Sequence, residues 1–426
     1  MNLVNCPSHP LLKYEFPTVF SGMTEQWPAS KWTPETLSQC LGDFELKFRV
    51  GAKESCDIVW EGDCQYKDAT IGQYSDWISG EGKEPNPLCE FARDSSWCYA
   101  SYTHMGLEFC DFPELLKGVD WSVFGFKGRA GHESTFWMGS EGAHTPCHYD
   151  AYGCNLVTQI YGRKRWILFP PTDTNNLYPT RLPYEESSIY SQVNIRNPDL
   201  RKHPKFAQCH PYIVTLEPGQ VLYVPRRWWH LVECLENSIS INSWIEMAED
   251  DESRLEEAVA RAIVTSLIKL HPESEFTETW LNPNEEFPTM GGCRTFLSQT
   301  WDLLRNSSKS SAKSCDMKTS VTSDDCSNAK RLKMDGEETK SDICDELDYD
   351  TLKSKLYQSG TPVDSKSVED LFELLDLPKR TVTECKSGSA ELVSSDLTPN
   401  NFVNSVSHPE VVSLVCKLLK ENLNFG

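Results

Sequence analysis

The stretch HTPCHYDAYGCNLV, residues 144–157, sets His148 and Asp150 one residue apart in what reads as a β-strand. Side chains at i and i+2 of a strand emerge on the same face, so an imidazole and a carboxylate point together into whatever that face covers. Burying either group is costly unless something pairs with it. Working outward, the neighbouring runs are short, β-branched or aromatic, and punctuated by Gly, Pro or Asn. STFWMGS precedes the stretch; CNLVTQIYG, KRWILFP, YIVTLEPG, QVLYVP and SISINSWIE overlap or follow it. Many short strands with such punctuation, from 134 to 245, predict a barrel or jelly roll rather than βαβ units.

The missing partner lies farther along, in LEPGQVLYVPRRWWH, residues 216–230. This run reads as a turn, then an alternating strand with Leu222 and Val224 on one face, then a bend at Pro225 that ends at His230. Two imidazoles and one carboxylate form the 2-His-1-carboxylate set, which occupies one face of an octahedral metal and leaves the other open. A divalent metal held by His148, Asp150 and His230 would answer the burial problem. Cys147 and Cys154 flank the pair and could be read as ligands, but soft thiolates suit zinc better than an octahedral metal. They read as small buried side chains.

The bulk of the chain is compatible with a large core. It has 426 residues, 39% of them hydrophobic, with 13 Trp, 18 Phe and 15 Tyr. A net charge of −22, shared by both halves, argues against sequence-independent nucleic-acid binding, which needs a basic field. Arg196, Arg201, Lys202 and Lys205 form a local exception and keep an RNA substrate in view as a rival reading. The 17 cysteines are odd in number and nowhere form C-x-x-C, so neither a disulfide framework nor a structural zinc site is expected. Reduced thiols suit a cytoplasmic protein. A basic cluster in NAKRLKMD (Lys330, Arg331, Lys333) is compatible with nuclear entry as well. No signal-peptide pattern opens the chain and no apolar run approaches membrane-spanning length, so neither secretion nor a membrane partner is expected.

Composition divides the chain further. Residues 1–100 read as a mixed α/β segment packing on the core, with strands in FPTVFSGM and FELKFRVG and a capped helix in TPETLSQCLG between them. Residues 101–248 hold the β core. Residues 249–305 are helical: Leu255, Val259, Ala262, Ile263 and Leu267 recur at helical spacing, and CRTFLSQTWDLLRN gives a second helix. Such a pair serves as core cover or as a homodimer face. Residues 306–345, rich in Ser, Lys, Asp and Thr, read as a disordered linker. Residues 346–426 hold short helices, SVEDLFELLDLP and HPEVVSLVCKLLKEN among them, which either dock on the main domain or serve a partner.

GAHTPCHYDAYGCNLVTQIYGRKRWILFPP and LEPGQVLYVPRRWWH with SISINSW resemble the core motifs of the JmjC (cupin-like) oxygenases, in their small hydroxylase branch. The likeness runs from FPTVFSGMTEQWP to Trp244, in the right order, and does not reach the tail after 306. It implies a double-stranded β-helix binding Fe(II) through His148, Asp150 and His230. It also implies that Lys164, in GRKRW, pairs with the distal carboxylate of 2-oxoglutarate, with Thr145 and Tyr99 (in WCYASY) giving hydroxyls to the same group. Asn155 and Asn242 match amides near the cosubstrate and metal. Trp244 and Trp229 are candidates for a substrate cleft, each with plain packing as the alternative. The implied reaction couples oxidative decarboxylation of 2-oxoglutarate to hydroxylation of a protein side chain, or to demethylation where the acceptor is an N-methyl group. The wording of GAHTPCH, PTRLPYEESS, NPDL and SINSWIE further implies a small heat-shock protein as partner and a link to stress response. A catalytically inactive binding module for that partner is the main rival.

Overall fold

In the computed structural model, residues 9–81, 85–270, 280–283, 289–313, 346–377 and 399–423 are described. The first strands are β1 (Thr18–Ser21), β2 (Glu45–Ala52), β3 (Gln65–Thr70) and β4 (Ser96–His104). Then follow β5 (Thr135–Gly139), β6 (His144–Asp150), β7 (Cys154–Tyr161), β8 (Lys164–Phe169), β9 (Pro179–Glu185) and β10 (Ser188–Ser191). The last are β11 (Tyr212–Leu216), β12 (Gln220–Val224), β13 (Trp229–Cys234), β14 (Ser238–Ile245) and β15 (Gly360–Pro362).

These strands form two antiparallel sheets, of nine and six strands, ordered β15-β1-β12-β7-β14-β5-β4-β2-β3 and β11-β8-β13-β6-β10-β9. The sheets oppose each other as a mainly β, jelly-roll core of cupin type. Every strand expected between 134 and 245 forms. His230, however, is the second residue of a separate strand, β13, and not the end of the run from Gln220. β9 went unpredicted because Pro179 and Pro183 interrupt its pattern. It tolerates them because it is the last strand of its sheet, where among the described residues the outer side makes a single bridge, between Tyr184 and Leu281, and neither proline takes part in it.

The segment before residue 100 joins the core through its strands. β1 pairs with β12 on one side, and β4, β2 and β3 prolong the same nine-stranded sheet beyond β5 on the other. The helix Pro34–Leu41 forms as its signals predict, capped by the Thr33 hydroxyl and closed at Gly42.

The long helix Asp250–Leu270 is tied to the turn after β6: the Asp250 carboxylate accepts from the backbone of Gly153 at 2.8 Å and of Met247 at 2.8 Å. Its apolar stripe is covered by the chain itself. Leu255 and Val259 meet Leu304 of the helix Met290–Lys313 and Val412 and Cys416 of the helix Pro409–Asn422. Val264, Leu267 and Ile268 meet Tyr184, Trp280 and Val403. The stripe is therefore core cover, and the residues named for a homodimer face are largely spent inside one chain.

Met290–Lys313 extends into the segment expected as a linker from 306; Lys330, Arg331 and Lys333 lie outside the described residues. Part of the C-terminal region docks, and not only through helices. β15 adds to the edge of β1, Lys366 donates its backbone N–H to Pro211, and Val368, Leu371 and Phe372 join the core under the six-stranded sheet. Among the described residues, no helix is long and apolar enough to cross a membrane.

Candidate metal and oxo-acid site

His148, Asp150 and His230 present one ligand atom each, all within 4.8 Å of one another. β6 and β13 are neighbours, and His148 lies directly opposite His230 in the register, which puts their rings 4.3 Å apart. Both imidazoles are held the same way: the Nδ1 of His148 bonds the carbonyl of Pro146 (2.8 Å), and that of His230 the carbonyl of Trp228 (2.9 Å). A carbonyl only accepts, so each Nδ1 carries the hydrogen and each Nε2 lone pair is left for a ligand. His148 is held neutral, its pKa lowered to about 4 by burial and by the neighbouring His230. Asp150 turns one oxygen toward His148 Nε2 (3.7 Å), and its other oxygen accepts from Trp244 Nε1 (2.9 Å). Two imidazole nitrogens and one oriented carboxylate oxygen, open on one side, are the donor set suited to a non-haem Fe(II).

The triad lines a cavity of about 460 Å³ between the two sheets. At its far end Lys164 is 1% exposed, donating to the hydroxyls of Ser240 (2.7 Å) and Tyr99 (3.3 Å). Among the described residues no carboxylate pairs with it. Burial pushes its pKa below the ordinary lysine value, whereas the same burial raises that of Tyr99, which keeps its proton and to which Thr145 hydrogen-bonds. A buried ammonium ringed by hydroxyls, at one end of a cavity with a metal-type triad at the other, fits an anionic group joined to a metal chelator.

Two irregularities make the cavity wall. Thr145 and His148 are three residues apart, a spacing that would put them on opposite faces of a regular strand. The register between β6 and β13 shifts between these two positions, and both side chains face inward. A similar shift between β4 and β5 brings both Tyr99 and Tyr102 to the cavity, with Tyr102 at φ 54° and its ring 4.7 Å from that of Trp137. Gly139 makes room for the first of these rings: a Cβ there would lie 2.8 Å from Tyr99.

Comparison with known proteins agrees with this geometry. The cupin-like domain family matches residues 9–251, more than half of the chain. The chain belongs to this family. HSPB1-associated protein 1 homolog of Danio rerio is 49% identical over 274 residues, covering 63% of this chain and 60% of the relative. Human HSPB1-associated protein 1 is 46% identical over 277 residues, 65% of this chain and 57% of that protein. Lysine-specific demethylase 8 of Xenopus tropicalis is 27% identical over 254 residues, 57% of this chain and 52% of that protein. The chain thus spans less than two thirds of the length of these relatives.

Within this cupin-like JmjC domain most of the anticipated positions converge. Asn155, Asn242 and Trp244 line the cavity, with Asn242 accepting from Trp137 Nε1 (2.7 Å) and donating to Asn155 (2.9 Å). Trp229 does not belong to the cleft. It is fully buried on the other face of β13, edge-on to Tyr149 at 4.8 Å and donating to Thr174 (3.0 Å). Because His230 points inward, strand alternation sends its neighbour outward. The same rule turns Cys147 and Cys154 into separate hydrophobic clusters, and burial lifts the Cys154 thiol to about 12. The basic residues that kept RNA in view are largely engaged: Arg196 with Glu233 (3.1 Å), Arg201 with Asp199 (3.1 Å), and Lys205 near the Tyr178 ring (5.9 Å). Ser240, Trp137, Trp166 and Tyr102 were missed. Alternation flags two of them, Ser240 two residues before Asn242 and Trp166 two residues after Lys164.

Proposed function

We propose that the chain is an Fe(II)- and 2-oxoglutarate-dependent oxygenase that hydroxylates a protein side chain. The observation that carries this reading is one cavity with a His148–Asp150–His230 triad at one place and the buried Lys164 ammonium at another. His148, Asp150 and His230 would hold the metal. Bound Fe(II) supplies the activation of O2, coupled to oxidative decarboxylation of 2-oxoglutarate to succinate and CO2. The chain's own residues do the rest. Lys164, with the hydroxyls of Tyr99, Thr145 and Ser240, binds the distal carboxylate and fixes the cosubstrate's direction. Trp244 holds Asp150 so that a single oxygen faces the site. Trp137 and Tyr102 exclude water from the wall opposite the lysine's sheet. An N-methyl acceptor would turn hydroxylation into demethylation, an outcome consistent with the relatives named lysine-specific demethylases.

We also extend to this chain an association with a small heat-shock protein, on the strength of the relatives' name, HSPB1-associated protein 1. The purified chain with Fe(II) should bind 2-oxoglutarate and release succinate slowly even without substrate, and His148→Ala should abolish that release. Identical behaviour of the two proteins would sink the oxygenase reading and leave a binding module. Mass spectrometry for +16 Da residues lost when the triad is mutated would name the substrate.

A further inference from the structure

We propose that Trp166 is a cosubstrate-specificity residue whose indole N–H donates to the distal carboxylate of the oxo acid held by Lys164. The proposal rests on the oxygenase reading above. Lys164, Trp166 and Leu168 alternate onto the inner face of β8. Across the ladder, Leu168 is paired with His230 and Trp166 with Val232, which is itself paired with Thr145. Trp166 therefore occupies the row between the lysine and the metal ligands, and its ring centroid lies 5.7 Å from that of His230. Any molecule reaching from Lys164 to the triad runs past that row.

Three indoles line the cavity, and their N–H groups differ. Trp137 donates to Asn242 and Trp244 to Asp150. Trp166 Nε1 is buried with no hydrogen-bond partner among the described residues, and the side chain belongs to a hydrophobic cluster with Val157, Leu222 and Val232. Buried donors are nearly always satisfied, so an orphan calls for an acceptor from elsewhere. An indole only donates, and with Lys164 two residues away the fitting acceptor is anionic.

The test is calorimetric titration of the full chain, loaded with Mn(II) without oxygen, comparing wild type with Trp166→Phe. 2-Oxoglutarate should bind about tenfold more weakly to the variant, the loss expected for one hydrogen bond to a charged group. 2-Oxobutyrate, which lacks the distal carboxylate, should bind both proteins equally. Should W166F fold poorly, benzothienylalanine at 166, which keeps the ring shape and replaces N–H by sulfur, gives the same comparison. Equal 2-oxoglutarate affinity in both proteins, with Lys164→Ala abolishing it, overturns the role of Trp166 alone. Equal weakening for 2-oxobutyrate overturns the assignment to the distal carboxylate. A wild-type chain that binds neither acid removes the oxygenase reading as well.

Discussion

The two walls of the cavity differ in kind. The six-stranded sheet forms the ionic wall: the Asp150 carboxylate from β6 and the Lys164 ammonium from β8, together with the imidazoles of His148 (β6) and His230 (β13) that could share a metal ion with Asp150. The facing nine-stranded sheet supplies neutral groups from its core strands: Tyr99 from β4, Trp137 from β5, Asn155 from β7, and Ser240, Asn242 and Trp244 from β14. The neutral wall is bonded to itself and to the ionic one, through Trp137–Asn242–Asn155, Trp244–Asp150 and Ser240–Lys164. The division teaches that one sheet carries the charged and candidate ligand side chains while the other fixes where they point. Charges concentrated on one wall are tolerable in a buried site only where hydrogen-bonding groups face them.

The largest effects should come from the ionic wall. His148→Ala or Asp150→Ala should lower Mn(II) affinity by more than about 100-fold, beyond the 10- to 100-fold typical of losing an outer hydrogen-bond partner. Calorimetric titration reads this directly, and a loss under tenfold would break the contrast. Lys164→Met should weaken 2-oxoglutarate binding about 100-fold while leaving Mn(II) binding intact. It should not destabilise the ligand-free protein, because it removes a buried ammonium with only hydroxyls around it. A lowered melting temperature would show that the lysine is structural.

The neutral wall should give smaller losses. Trp244→Phe should cost about tenfold in Mn(II) affinity by freeing Asp150. Trp229→Phe, on the outer face of β13, should lower the melting temperature without moving either affinity.

Acid should separate the walls by a different measure. On β6, His144 is held neutral, its pKa lowered to about 3 by burial and by the Arg196 and Arg49 charges. The unfolded chain takes up this proton near pH 6.5 and the folded chain only near 3, so protonation favours unfolding across that interval. Stability from this residue is complete above about pH 6.5 and declines by up to about 1.4 kcal/mol per unit as pH falls toward 3. His144→Asn should flatten the slope in urea titrations run from pH 7 to 4. An unchanged slope would assign acid sensitivity elsewhere, with His9, lowered to about 4 by burial, the next candidate.

Much of this was readable in the chain because strands carry a period of two. His148-x-Asp150 and the β-rich runs around it announce a shared face and a barrel before any contact is known. The same rule puts Trp166 on the face of Lys164 and Ser240 on the face of Asn242. It misleads where a bulge intervenes: nothing in the spacing of Thr145 and His148, or of Tyr99 and Tyr102, shows that they share a wall. Trp229 failed for another reason. Nearness to His230 in sequence implies nearness to the site, yet adjacent strand residues point apart.

Residue order alone determined the β architecture, the identity of three side chains able to hold a metal and the acidic balance of the chain, because periodicity, donor chemistry and charge are local properties. Only the tertiary structure decided that His148 faces His230, that Lys164 is enclosed by hydroxyls from the opposite sheet, and that the helical stripe after 249 is covered within the chain. Those outcomes depend on register and on which surfaces meet, and both are set by contacts between segments far apart in sequence.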